Sequence, residues 1–372
     1  MVRTEAGKQK RGPGAHGYLI TSATRAVPSA SSAGKDQTIS NRDHAGKSPG
    51  QTGEPAYLQL KTALVVPTLN AGESFAEWLE ALKWQSFVPE RLLLIDSSSN
   101  DNTVETARAA GFDIHIISRA EFNHGGTRQR SVEILAGYDL IVFMTQDAVL
   151  ADRDSIANLL KWFDDPKVGA AYGRQLPRRH AEPIEAHARL FNYPHHTEIK
   201  GKDDIPRLGI KTAFISNSFA AYRREVLLAA GGFPSHTIQN EDTYTASRMI
   251  LQGWKVAYVS DATVYHSHPF RICEEFRRYF DIGVFHARAP WIRREFGHAG
   301  GEGLKYVKSE LTFLLHNRPV AIPSAMVRTA AKLVGFKLGN HERMLPMCLK
   351  RKLSVNKRYW GSTADRRDED IQ

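Results

Sequence analysis

The chemistry this chain could do is concentrated in a few acidic and imidazole side chains that follow apolar runs. Asp96 closes the run Leu92-Leu93-Leu94-Ile95, Asp147 comes soon after Leu140-Ile141-Val142-Phe143, and Glu241-Asp242 precede Thr243–Leu251, a segment of helical period. A hard carboxylate such as Asp147 at a sheet edge can take Mg²⁺ or Mn²⁺, and such an ion can bridge diphosphate oxygens. Each residue also has an ordinary structural use. Asp96 could cap a helix starting near Asn102 or close an Asx turn, a use that suits Asp101 better. Two acids at a helix start are favoured by the helix dipole alone. Arg128, after Gly125-Gly126, opens a predicted helix where backbone amides and a guanidinium can meet a phosphate, or it is simply a solvated arginine. His124 and His266 are two of 15 histidines, and spacing alone assigns neither a ligand.

From Lys61 onward, short apolar runs alternate with amphipathic segments. Strands are predicted at Thr62–Val66, Leu92–Asp96, Ile114–Ser118 and Leu140–Thr145, with helices at Glu73–Gln85, Thr103–Ala110 and Thr127–Leu135. This βαβα order predicts an α/β fold with a largely parallel sheet. Such sheets bind ligands beyond the carboxyl ends of their strands. There the chain carries Pro67-Thr68-Leu69-Asn70, then Asp96 to Asp101, then Thr145-Gln146-Asp147. None of these turns holds GxGxxG or GxxxxGK[ST], which removes the dinucleotide and P-loop readings. Asn70 and Gln146 are uncharged hydrogen-bonding residues that suit a pocket wall or a turn.

Composition bounds the rest. The chain has 372 residues, 42% hydrophobic and 24% charged, enough for a large globular domain with an appendage. Two cysteines, Cys273 and Cys348, form neither a disulfide framework nor a zinc motif, which favours a reducing compartment. Residues 1–55 carry eight basic and four acidic side chains, 56–270 carry 22 and 25, and 271–372 carry 20 and 11. The slightly acidic middle argues against a nucleic-acid groove. Residues 1–57 are Ser-, Gly- and Lys-rich without apolar period and are expected to be disordered. They lack a signal-peptide core, and nowhere does a run reach the roughly 18–20 apolar residues of a membrane span. The expected location is the cytoplasm, or the membrane surface facing it.

Five motifs, in order between Lys61 and His268, resemble the family 2 glycosyltransferases of GT-A fold, and within them the bacterial rhamnosyltransferases. They are Val65-Val66-Pro67-Thr68-Leu69-Asn70, Leu94-Ile95-Asp96-Ser97-Ser98-Ser99-Asn100-Asp101, Phe122-Asn123-His124-Gly125-Gly126-Thr127-Arg128, Met144-Thr145-Gln146-Asp147-Ala148 and Asn240-Glu241-Asp242. The resemblance implies a Rossmann-like GT-A domain at 58–270 and transfer of a sugar, L-rhamnose from dTDP-L-rhamnose, to a glycan or lipid-linked acceptor. It implies that Pro67, Thr68, Asn70, Asp96, Asp101, His124, Arg128 and Gln146 bind the donor, with Asp96 accepting the base N–H. It further implies that Asp147 and His266, ahead of His268, hold Mg²⁺ or Mn²⁺. Asp242 would be the base that activates the acceptor hydroxyl for inverting displacement, assisted by Glu241. One position departs from the family: Thr145 stands where the DxD motif has its first Asp, so metal affinity without donor should be weak.

Residues 271–372 read as a basic helical region. Phe276, Tyr279, Phe280 and Val284 share a helix face flanked by Arg277, Arg278, Arg288, Arg293 and Arg294, and Ala325–Leu338 interleaves Met326, Leu333 and Val334 with Arg328, Lys332 and Lys337. Such helices can lie on an anionic membrane or pack within the protein or a dimer. Competing functional readings are a UDP- or GDP-sugar donor, a glycoside hydrolase built on two carboxylates, and a non-catalytic binding protein on the same fold. A hydrolase has no use for a base-binding Asp96 or a diphosphate site.

Overall fold

The computed structural model describes residues 55–297, 301–362 and 365. The expectation of disorder for 1–57 falls, except for its last three residues, outside the described part. The predicted alternation is present as β1 (Thr62–Thr68), α1 (Ser74–Lys83), β2 (Arg91–Asp96), α2 (Thr103–Ala109), β3 (Asp113–Ile116), α3 (His124–Ile134) and β4 (Leu140–Met144). A second half follows with β5 (Val149–Leu150), α4 (Ser155–Leu160), β6 (Val168–Leu176), α5 (Pro183–Asn192), β7 (Glu198–Lys200), α6 (Ile205–Leu208), β8 (Phe219–Arg223), α7 (Arg224–Ala229), α8 (Glu241–Leu251) and β9 (Lys255–Tyr265).

All nine strands form one sheet in the order β3-β2-β1-β4-β8-β6-β9-β5, with β7 also on β9. The first four are parallel, as predicted; β8 then runs antiparallel to both β4 and β6, and β6 and β9 are again parallel. The sheet is therefore mixed rather than mostly parallel, because β8 returns directly beside β4. β1 has β2 on one side and β4 on the other, so the chain direction of winding reverses between β1 and β4. A crevice opens at the carboxyl ends of strands at such a point.

The strand residues alternate between two cores. Leu64, Val66, Leu94, Val142 and Met144 pack with Phe75, Trp78 and Leu79 of α1. Ala63, Val65, Ile95, Ile141 and Phe143 face the other core, with Val132, Tyr222 and Phe233. Period-two alternation with both faces buried is what a sheet covered by helices on both sides requires.

The C-terminal region is helical as expected, with α9 (Ile272–Arg288), α10 (Pro290–Phe296), α11 (Glu302–Asn317), α12 (Ile322–Asn340) and α13 (Met347–Leu353). Its apolar residues belong to the main core: Phe280, Val284, Phe285, Ile292 and Trp360 join the cluster around Val65 and Tyr222. α9 lies directly on α12. A Cβ on Gly339 would stand 2.0 Å from the Phe280 carbonyl oxygen, and one on Gly335 would stand 2.4 Å from that of Phe276, so only glycine permits this approach. Of the placements the sequence leaves open for the α9 face, the structure has the internal one: Phe280 and Val284 are buried in the core, and so is the neighbouring Arg288. It is buried against Glu342 at 3.0 Å and Asp365 at 2.6 Å. The outer side of α12 does expose Met326, Val327, Leu333 and Val334. Among the described residues no helix is long and apolar enough to cross a membrane.

Candidate active site

The crevice between β1 and β4 holds a cavity of about 410 Å³. Of the predicted donor-site residues, Pro67, Thr68, His124, Arg128 and Gln146 line it, together with Asp147. Gln146 is locked across the two strand ends, accepting from the Leu69 amide at 2.8 Å and donating to the Leu69 carbonyl at 3.3 Å.

Asn70, Asp96 and Asp101 stand behind the wall and build the loops that form it. Asp96, 1% exposed, accepts from the Thr68 hydroxyl (3.0 Å) and from the Ser99 amide (2.7 Å) and hydroxyl (2.6 Å). A carboxylate has about four acceptor sites, so one remains on Oδ2. Asn70, at φ +46°, accepts from the Asn100 amide at 2.8 Å, and Asp101 accepts from the Gly72 amide at 3.0 Å and the Thr103 hydroxyl at 2.5 Å. The Thr103 hydroxyl holds the Asp101 carboxyl below its ordinary range.

The Phe122-Asn123-His124-Gly125 motif has a local explanation. Asn123 caps α3 by accepting from the Gly126 amide at 2.7 Å. A Cβ on Gly125 would fall 1.8 Å from the Pro234 carbonyl oxygen and 3.3 Å from the Glu241 Cβ, so the missing side chain lets α3 approach the start of α8. Across that contact Arg128 pairs with Glu241 at 2.9 Å, with both side chains under 10% exposed. The guanidinium expected to meet a phosphate thus has a carboxylate partner, although it still forms part of the cavity wall.

Glu241 and Asp242 open α8, but their environments separate them. Burial pushes Glu241 up, yet the charges of Arg128 and His124 outweigh it, and its carboxyl is held below the usual range. It also accepts from Asn217 Nδ2 at 3.2 Å. Asp242 is pushed up to about 7, by burial first and then by the Glu241 charge. It accepts from the Thr243 amide at 2.7 Å and the Asn217 amide at 3.3 Å. A carboxylate of that affinity is well matched to taking a proton near neutral pH.

Asp147, His266 and His268 bring one ligand atom each to within 4.8 Å of one another. Asp147 Oδ1 and Oδ2 lie 3.4 and 3.3 Å from the two Nε2 atoms, which are 3.0 Å apart. Octahedral ligands at about 2.1 Å from an ion stand about 3 Å apart when adjacent, so this spacing fits a cation at the centre. The protonation states fit too. Burial pushes both imidazoles down, His268 to about 4, so they are neutral at pH 7. Burial raises Asp147, but its contacts with His266, Thr145 and His268 together outweigh it and hold the carboxyl below its ordinary range. His266 Nδ1 donates to Gln175 Oε1 at 2.9 Å, which leaves the Nε2 lone pair for a cation beside Asp147. Two imidazoles favour a transition ion such as Mn²⁺ over Mg²⁺.

The two centres are linked. Gln175 Nε2 donates to the Ser216 hydroxyl at 2.9 Å, and the Ser216-Asn217-Ser218 turn before β8 supplies the amide held by Asp242. Sequence reasoning placed His268 second to His266 and had no sign of Gln175 or of Arg178, which donates to the Asp147 carbonyl at 2.8 Å. Nor did it find Arg119 and Arg358 in the cavity wall, since Arg358 comes from beyond α13.

A cavity at the switch point of a mixed α/β sheet, with a cation-competent cluster and a raised carboxyl beside it, is what a nucleotide-dependent group transferase requires. The family model for glycosyl transferase family 2 matches residues 63–229. The chain belongs to that family and is a glycosyltransferase. It is 50% identical over 304 residues to the O-antigen chain rhamnosyltransferase RfbN of Salmonella typhimurium, covering 82% of this chain and 97% of the relative. It is likewise 50% identical to the O-antigen chain rhamnosyltransferase WbaN of Salmonella anatum over 300 residues, 80% of this chain and 95% of that protein. Among solved structures it is similar to the mannosyltransferase PcManGT of Pyrobaculum calidifontis, in complex with GDP-Man and Mn²⁺. That similarity runs at 21% identity with a TM-score of 0.48, over 81% of this chain and 85% of that one.

Proposed function

We propose that this glycosyltransferase moves L-rhamnose from dTDP-L-rhamnose to a glycan or lipid-linked acceptor in cell-surface polysaccharide synthesis, with inversion at the anomeric carbon. The observation that carries the reading is the pairing of Asp242, pushed up to about 7, with the Asp147–His266–His268 cluster at one sheet edge; two rhamnosyltransferases at 50% identity supply the sugar. The donor occupies the β1/β4 cavity, its walls set by Pro67, Thr68, Gln146, His124 and Arg128, and Asp96, buried behind them, holds the Thr68 and Ser99 hydroxyls at its base end. Asn70 and Asp101 hold the loops.

Asp242 takes the acceptor hydroxyl proton as that oxygen forms its bond to the anomeric carbon, and the bond to the diphosphate oxygen breaks on the opposite face. Glu241, neutralised by Arg128, keeps Asp242 basic without competing for the proton. A divalent ion held by Asp147, His266 and His268 would neutralise charge on the departing diphosphate. The reading predicts dTDP release from dTDP-rhamnose that requires acceptor and stops with chelator, and release from UDP- or GDP-sugars alone would transfer the proposal to another donor.

The work site in this reading is the cytoplasmic face of the membrane. Exposed Met326, Val327, Leu333 and Val334 on α12, near Lys337, offer an apolar stripe for a bilayer surface. Co-sedimentation with anionic vesicles should be lost in Met326→Glu/Leu333→Glu, and binding unchanged in that variant would remove the membrane role of α12.

A further inference from the structure

A second cavity, of about 440 Å³, lies on the far side of His268 from the β1/β4 crevice, between α5, the segment after β9, α9 and the start of α12. Its polar wall is dominated by cations. Arg318 is paired with Glu182, while Arg328 and Lys332 share Glu275 at 3.0 and 3.3 Å. Two guanidinia are left, those of Arg278 and Arg189, against one further acid in the wall, Glu185. Among the described residues neither arginine has a carboxylate at ion-pair distance; Glu275 and Asp281 act on Arg278 only from farther off, and Arg189 opposes its charge.

Both are aimed and held. Arg278 stacks over the Phe270 ring at 4.6 Å, and the same ring stands 5.0 Å from that of His268. Arg189 donates from Nη1 to Gln175 Oε1 at 2.8 Å, the atom that also orients His266, while its Nε is buried with no partner. The Arg278 carbonyl accepts from Gln239 Nε2 at 3.2 Å, tying this wall to the turn that precedes Asp242. The rim carries Val320, 80% exposed, beside Ala321, Ile184 and Pro269.

We propose that this cavity binds the phosphate or diphosphate group of the acceptor, with Arg278 and Arg189 as its ligands and the apolar rim receiving a lipid chain attached to it. The inference rests on the transferase reading and extends it. Two like charges brought together without a carboxylate are costly unless an anion joins them, and fixed guanidinia suit a multi-oxygen anion. The position also separates the two substrates: the donor diphosphate lies by Asp147, the acceptor anion beyond His268, and the acceptor hydroxyl between them reaches Asp242.

The test is calorimetric titration with dTDP and Mn²⁺ saturating, so that the donor side is filled. Farnesyl diphosphate, inorganic pyrophosphate and farnesol are the probes, against wild type, Arg278→Ala and Arg278→Lys. Farnesyl diphosphate is expected to bind the wild type saturably, tenfold or more weakly in Arg278→Ala, and with part of the loss restored in Arg278→Lys; farnesol should not bind. Pyrophosphate weaker than farnesyl diphosphate supports the lipid source, and equal affinity removes the rim from the proposal. Farnesyl diphosphate binding equally well to wild type and Arg278→Ala overturns it. The preceding titration with dTDP and Mn²⁺ reads the donor side by itself, so a failure there is a failure of the transferase reading and not of this cavity.

Discussion

Replacing Asp242 by Asn removes the proton acceptor and one weak hydrogen bond. The amide is the same size and keeps an oxygen for the Thr243 N–H, 2.7 Å from Oδ1, but its NH2 replaces the Oδ2 that receives the Asn217 N–H at 3.3 Å. Positioned general bases contribute about 10²–10⁴-fold to rate, so kcat of Asp242→Asn should fall into that range while donor affinity stays within a few fold. The pH profile sharpens the test. With its carboxyl pushed up to about 7, the wild type should lose rate about tenfold for each pH unit below that value, since a group one unit below its pKa is only about a tenth ionised. An aspartate at its ordinary value of about 3.9 would give a flat profile from pH 6 to 8. Glu241 supplies part of the upward push, so Glu241→Gln should move the acid limb to lower pH. The assay is dTDP release at saturating donor and acceptor between pH 5.5 and 8.5, with thermal melts as fold controls. A profile flat through pH 6, or an Asp242→Asn enzyme retaining near-full turnover, refutes the assignment.

Other consequences follow from the same geometry. Asp147→Ala and His268→Ala should each abolish the Mn²⁺ dependence of dTDP binding, read by manganese electron paramagnetic resonance with nucleotide present; a signal equal to wild type would contradict the cluster. Gly125→Ala places a methyl 1.8 Å from the Pro234 carbonyl oxygen; overpacking of this kind costs about 1–3 kcal/mol and should lower Tm, whereas an unchanged melt would mean α3 and α8 can move apart freely. Arg288→Ala leaves the buried Asp365 without its guanidinium and Glu342 with Lys350 alone, a change worth about 3–5 kcal/mol, measurable by urea denaturation. Because the Asp242 carboxyl binds its proton more tightly when folded, its contribution to stability is full below about pH 4 and declines as pH rises to about 7. Asp242→Asn should therefore flatten the pH dependence of Tm over that window.

The first half of the sheet was legible because each strand from Thr62 to Met144 is a short apolar run ending in polar turn residues, and the segments between have helical period. The mixed second half was not, since nothing local says that Phe219–Arg223 returns beside β4 in the opposite sense. The cavity residues Pro67, Thr68, Gln146 and Asp147 were readable from their place after strands. The fates of Asp96, Asn70 and Asp101 turned on which loops meet, a property of three dimensions. The placement of α9 and Arg288 stayed open in the sequence for a related reason: helical period marks a face that must be covered without saying by what, and Glu342 and Asp365 arrive from more than 50 residues away. The pair Gly335 and Gly339, one turn apart on α12, was the signal that a helix would pack there.

A metal-dependent site for a dTDP sugar can be read directly by calorimetric titration of the purified protein with dTDP-rhamnose, UDP-glucose and GDP-mannose, each with Mn²⁺ and again with chelator. Saturable binding of dTDP-rhamnose alone, lost on chelation, is the expected result. Binding that is indifferent to the metal, or no binding of any of the three donors, would contradict it.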